Sequence, residues 1–142
     1  MTRLLLLLAL ACALRGQEPL VVIVNPESGV TRLTRTEATN IFMGRTRRLP
    51  SGLVALPVEQ ADPGGPRERF YEVLADLPLQ QVRAYWARLY FSGQAQPPRQ
   101  TASAEETLRV VAANRGAVGF VEQSKVDRRV KPVLVLDGKE GS

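Results

Sequence analysis

The sequence predicts a single α/β domain, a three-layer-like sandwich with a mixed sheet and flanking helices. The chain has 142 residues, which is one domain's worth and enough to hide about two-thirds of its unfolded surface. Short apolar runs and amphipathic segments follow in the order strand, helix, strand, helix, helix, helix, strand, strand, a pattern of layered α/β folds. The first run, Leu20-Val21-Val22-Ile23-Val24, is apolar at every position, as expected of a strand covered on both faces.

The N-terminus reads as a targeting segment. Arg3 is a positive start, Leu4 to Ala11 form an apolar run, and Ala11-Cys12-Ala13 has the small-x-small shape of a signal-peptidase site. The run is too short to span a bilayer, which takes about 20 apolar residues. Residues 1–13 are therefore expected to be a cleaved secretory signal and 14–142 the mature domain. That implies a periplasmic or secreted protein with no transmembrane segment in its mature chain. A competing reading makes Cys12 a lipid-anchor cysteine. Cys12 is the single cysteine, so no intrachain disulfide forms.

Asn25-Pro26 ends the first strand. Thr34 and Glu37 have capping-box spacing, opening a helix with Ala38, Ile41 and Phe42 on one face and a stop at Gly44. Gly44 to Gly52 is a basic loop. Leu53 to Val58 is a second strand, in which Pro57 argues for an edge or a bulge. Asp62 to Pro66 is a turn, and Pro66 suits the first position of the next helix, with Phe70, Val73 and Leu74 inward. Leu77-Pro78 breaks that helix. Another begins near Leu79, with Val82, Tyr85, Trp86 and Leu89 as its apolar stripe, and Ser92-Gly93 closes it. Gln94 to Gln100 reads as a loop. Ser103 and Glu106 form a second capping box, ahead of a helix carrying Leu108, Val111 and Ala112 inward and capped by Gly116. Ala117 to Val121 and Val130 to Leu136 are the last strands.

Composition removes most catalytic chemistry. With no histidine, Ser-His-Asp triads, Cys-His pairs and histidine metal sites are impossible. No metal or other cofactor is implied, and the chain is expected not to be an enzyme. Net charge is +5, and sixteen of the nineteen basic residues are arginine. Their scatter, without interleaved aromatics, argues against nucleic acid.

Two groups remain as candidate sites. The turn holding Asp62, Gly64 and Gly65, followed by Arg67, feeds a helix N-terminus, where free N–H groups and the helix dipole favour an anion. Pro63 and Pro66 each remove a donor, and a plain turn explains the same residues. The loop with Arg45, Arg47 and Arg48 suits an anion, an acidic partner or a lipid head group; a solvated loop is the alternative. Glu59 and Asp62 have the residue types of a glycosidase pair, with nothing else in support. Glu105 and Glu106 are better explained by helix capping. Tyr85, Trp86, Tyr90 and Phe91, half of the eight aromatic residues, are expected in the core.

These segments together resemble a known family. Val24-Asn25-Pro26, Leu33-Thr34-Arg35, Ile41-Phe42-Met43-Gly44-Arg45, Gly52 and Pro57-Val58 occur in the order found in the phosphate-type periplasmic substrate-binding proteins. So do Arg69-Phe70-Tyr71, Tyr85-Trp86, Phe91-Ser92-Gly93, Pro97-Pro98 and Gly116-Ala117-Val118-Gly119-Phe120-Val121. The resemblance runs over about residues 20–136. It implies one lobe, mainly the second, of a two-lobed type II binding protein that hands phosphate to a membrane ABC transporter. The family's phosphate-gripping loop corresponds to Glu59 through Pro66. Ala61, Asp62 and Gly65 match, whereas Glu59 stands at the arginine position, Gly64 at the serine position and Pro66 at the threonine position. Leu49 replaces the family's tryptophan after the basic loop. The resemblance thus implies a non-catalytic module that binds phosphate or another oxyanion weakly. The alternative is an interaction or sensory module for a periplasmic or membrane protein partner that has lost the ligand.

Overall fold

β1 (Leu20–Val24) is buried at all five positions, as its unbroken apolar run requires. In the computed structural model, which describes residues 18–61 and 66–137, it lies antiparallel to β4 (Ala117–Glu122) on one side and β5 (Lys131–Leu136) on the other. β2 (Leu56–Gln60) runs parallel to β4 and to β3 (Arg99–Thr101). The sheet is therefore mixed, in the order β3-β2-β4-β1-β5. The expected signal at residues 1–13 lies outside the described residues. No described helix is long and apolar enough to cross a membrane.

Helices α1 (Arg35–Phe42), α2 (Arg67–Ala75) and α3 (Leu79–Phe91) cover one face of the sheet, and α4 (Ala104–Ala113) covers the other. Alternation along β1 feeds both layers. Leu20, Val22 and Val24 join the first core, and Val21 and Ile23 join Leu108 and Val111 in the second. The first core is aromatic: Phe70 stacks on Phe120 at 3.7 Å and meets Phe42 edge-on at 4.8 Å. Such packing adds roughly 0.5–1.5 kcal/mol per pair beyond burial.

Local signals behave as their chemistry dictates. Thr34 accepts from the Glu37 N–H at 3.1 Å and Glu37 accepts from the Thr34 N–H at 2.9 Å, a complete capping box. At α4 only half the box forms: Ser103 accepts from the Glu106 N–H, while the Glu106 carboxylate accepts from Ala102. Asn25 has a role its sequence context conceals. Its side-chain amide donates to the carbonyls of Val111 and Ala112 at 2.9 and 3.0 Å, which satisfies the free end of α4.

Several expectations need correcting. Gly116 does not cap α4; Asn114 ends it in an extended conformation. A Cβ at Gly116 would lie 2.1 Å from the Val54 carbonyl oxygen, so glycine is required by close backbone approach. Pro66 takes the N-cap position, one residue before the helix starts. The second strand spans residues 56–60 rather than 53–58. Pro57 is tolerated inside the sheet because Leu56 donates to Gly116, which turns the Pro57 nitrogen to the other side, where β3 pairs only from Val58 onward. β3 begins inside the expected loop 94–100; with sequence Arg-Gln-Thr and two exposed residues, it has no strand pattern. Tyr85 is half-buried and Trp86 buried, but Tyr90 and Phe91 are 63% and 87% exposed, so half of that aromatic stripe is surface.

Candidate anion site at the junction of β2 and α2

β2 delivers Glu59 and Gln60 into the interior, and α2 starts within a few residues. Of the expected anion-site residues, Asp62, Gly64 and Gly65 lie outside the described residues. Arg67 opens α2 and is only 9% exposed. Its Nε lies 3.0 Å from Oε1 of Glu59, itself only 2% exposed. Tyr71, one turn further along α2, donates its hydroxyl to Oε2 of Glu59 at 2.6 Å. Gln100 of β3 approaches Oε1 at 3.5 Å. The site is a buried Glu59–Arg67–Tyr71 cluster lying against a helix start.

Each member of the Glu59–Arg67 pair compensates the other's burial. An unpaired carboxylate in this position would carry a desolvation cost of several kcal/mol, which Arg67 and the Tyr71 hydroxyl offset. Burial, with the Glu59 negative charge beside it, pushes the Tyr71 hydroxyl well above the ordinary tyrosine range. Tyr71 therefore remains a donor. Both Glu59 carboxylate oxygens are engaged, Oε1 by Arg67 and Gln100 and Oε2 by the Tyr71 hydroxyl. The Glu59 side chain also occupies the guanidinium's Nε face, so an external oxyanion reaching Arg67 would compete with a carboxylate already bound. The Gln60 amide nitrogen is buried without a hydrogen-bond partner among the described residues.

The basic loop is elsewhere. Ala55, just before β2, donates to the Arg47 carbonyl, so the loop sits at the opposite end of β2 from Arg67. Five strand residues separate the two ends by about 16 Å at about 3.3 Å each. Arg47 donates to the Gln94 carbonyl at 2.9 Å and Arg48 to the Gly52 carbonyl at 2.8 Å. Arg45 lies 3.5 Å from the Asn40 side-chain oxygen. The structure thus holds two separate arginine sites. The first includes an acid, Glu59, that the sequence places just past the expected strand 53–58 and at the arginine position of the resembled loop, and that the fold buries. No group of three His, Cys, Asp or Glu that could hold a metal occurs among the described residues. Glu105 and Asp127 grip Arg129, with Glu105 at 2.7 Å and Asp127 at 2.8 Å, as a surface ion-pair cluster.

No family model and no curated protein matches the chain. Solved structures do. An ABC-type phosphate transport receptor from Vibrio cholerae matches with a TM-score of 0.65 at 21% identity, over 82% of this chain and 45% of its own. A putative phosphate ABC transporter substrate-binding protein from Clostridium perfringens, solved with bound phosphate, matches with a TM-score of 0.67 at 18% identity, over 82% and 44%. PstS from Borrelia burgdorferi matches with a TM-score of 0.58 at 14% identity, over 82% and 46%. This chain therefore spans less than half the length of these proteins. At such identities the likeness establishes the fold: a mixed five-stranded α/β sandwich matching one lobe of phosphate ABC transporter substrate-binding proteins.

Proposed function

We propose that this protein is an exported, non-catalytic binding module whose anion site at the start of α2 takes phosphate or a similar oxyanion weakly. The reading is carried by Arg67, a buried cation at a helix N-terminus that follows a parallel strand, in a fold shared with phosphate receptors. It is weak because Glu59 already supplies Arg67 with a carboxylate at 3.0 Å, and because one lobe leaves the ligand open to water, where charge-assisted contacts lose much of their value.

Phosphate-dependent thermal unfolding tests this. A ligand at 100 times its Kd adds about 2.7 kcal/mol. Native protein should gain a small shift in Tm at millimolar phosphate, Glu59→Gln a larger one, and Arg67→Gln none. No shift in any of the three would remove oxyanion binding, and an undiminished shift in Arg67→Gln would move the site away from α2. In the same reading, residues 1–13 are a secretory signal and 14–142 the mature domain in the periplasm. The mass of the exported protein tests this, since cleavage before Leu14 and acylation at Cys12 differ by a lipid.

A further inference from the structure

At the far end of β2 from Arg67 lies an open cleft of about 460 Å³. Ile41, Phe42 and Trp86 contribute apolar surface to it, the loop carrying Arg47 lines it, and Gln94 and Pro98 line it from the segment leading into β3. Two observations set it apart from an ordinary surface dent. Val54 and Tyr90 line it and are each 63% exposed, and Phe91, next to Tyr90, is 87% exposed, which leaves large apolar groups in water where burial elsewhere would stabilise. Every lining residue also comes from two stretches, 38–58 and 77–104, that contain no Asp or Glu and three arginines each. The Arg47 guanidinium is hydrogen-bonded only to the neutral Gln94 carbonyl among its described contacts, and the buried Trp86 indole N–H has no hydrogen-bond partner among the described residues.

We propose that this cleft is the docking site for an extended acidic peptide of a partner protein, which seats an apolar side chain against Trp86 and sets carboxylates beside Arg47. Charge complementarity selects an acidic occupant. The volume is within the roughly 300–1,000 Å³ of sites that enclose small groups, enough for one or two side chains. Concavity selects a peptide over an anionic bilayer, because a bilayer surface would meet the projecting Phe91 and leave the cleft floor untouched. This site is independent of the one at α2.

Trp86 is the chain's single tryptophan and reports directly from the cleft. The probe is a labelled synthetic peptide of glutamates around one phenylalanine. Its binding should change Trp86 emission saturably, raise the label's anisotropy and weaken with salt. Arg47→Glu, a surface change that leaves the core intact, should weaken it by at least about tenfold, and Tyr90→Ala by several-fold. The matching lysine peptide should not bind. Absence of binding, equal binding of the lysine peptide, or indifference to both variants would overturn the proposal. So would binding of phosphatidylglycerol vesicles without binding of the acidic peptide, which would identify a membrane-facing surface instead.

Discussion

The two ends of β2 present the same residue type in opposite electrostatic states. At one end Arg67 is buried and neutralised by Glu59 at 3.0 Å, with Tyr71 completing the carboxylate's contacts. At the other, Arg45, Arg47 and Arg48 are exposed and, among the described residues, meet only neutral oxygen acceptors. The contrast shows that arginine content does not locate a binding surface. The closed end holds its anion internally, so an external one would have to compete with Glu59. The open end has charge to spare and an apolar cleft beside it.

The largest effect should come from opening the closed end. Glu59→Ala leaves the Arg67 cation buried without its carboxylate and should cost about 3–5 kcal/mol, read by urea unfolding. Replacing both Glu59 and Arg67 by methionine should recover most of that loss, since a well-packed apolar pair can match a buried ion pair. Recovery failing while the single variant is severe would mean the pair does more than neutralise itself.

At the open end, Gly44→Ala should cost about 2–4 kcal/mol. Gly44 has φ +72°, and a Cβ would lie 2.7 Å from the Trp86 ring, so backbone strain and overpacking add. A milder loss would mean that Trp86 moves readily and the cleft floor is soft.

Tyr71→Phe should cost about 2 kcal/mol, the scale of a hydrogen bond to a charged group. It also has a signature in pH. Tyr71 has a native pKa above its ordinary value, so it stays protonated while the unfolded chain ionises. Its contribution is complete below the unfolded value of about 10 and is lost as pH rises through and beyond it. Alkaline destabilisation should therefore be shallower in Tyr71→Phe; an identical pH profile would remove the buried Tyr71–Glu59 contact. Arg48→Ala, at the exposed loop, should change stability by less than about 0.5 kcal/mol.

Much of the scaffold was legible because its signals are local. Thr34 and Glu37 make their cap within three residues, and the apolar run of β1 is buried throughout. β3 was not, because its three residues owe their extended form to backbone pairing with β2 at positions 41 apart in sequence. The same holds for the site. Arg67 stood out from the start, while Glu59 read as an unsupported acid until Tyr71 and Gln100, 12 and 41 residues away, came to its carboxylate. Tyr90 follows Trp86 by one turn, while Phe91 lies half a turn around the helix from Val82, and both stay exposed among the described residues.

By itself the sequence determined the α/β class, the helix starts and the absence of histidine and paired-cysteine chemistry, since these depend on residue type and short-range spacing. Tertiary structure decided which charges are spent and which apolar groups stay uncovered. Ion pairing and burial are properties of atoms brought together across the chain. Glu59 and Arg67 are eight residues apart on different elements, and only the fold brings their charges 3.0 Å apart in a place that excludes water.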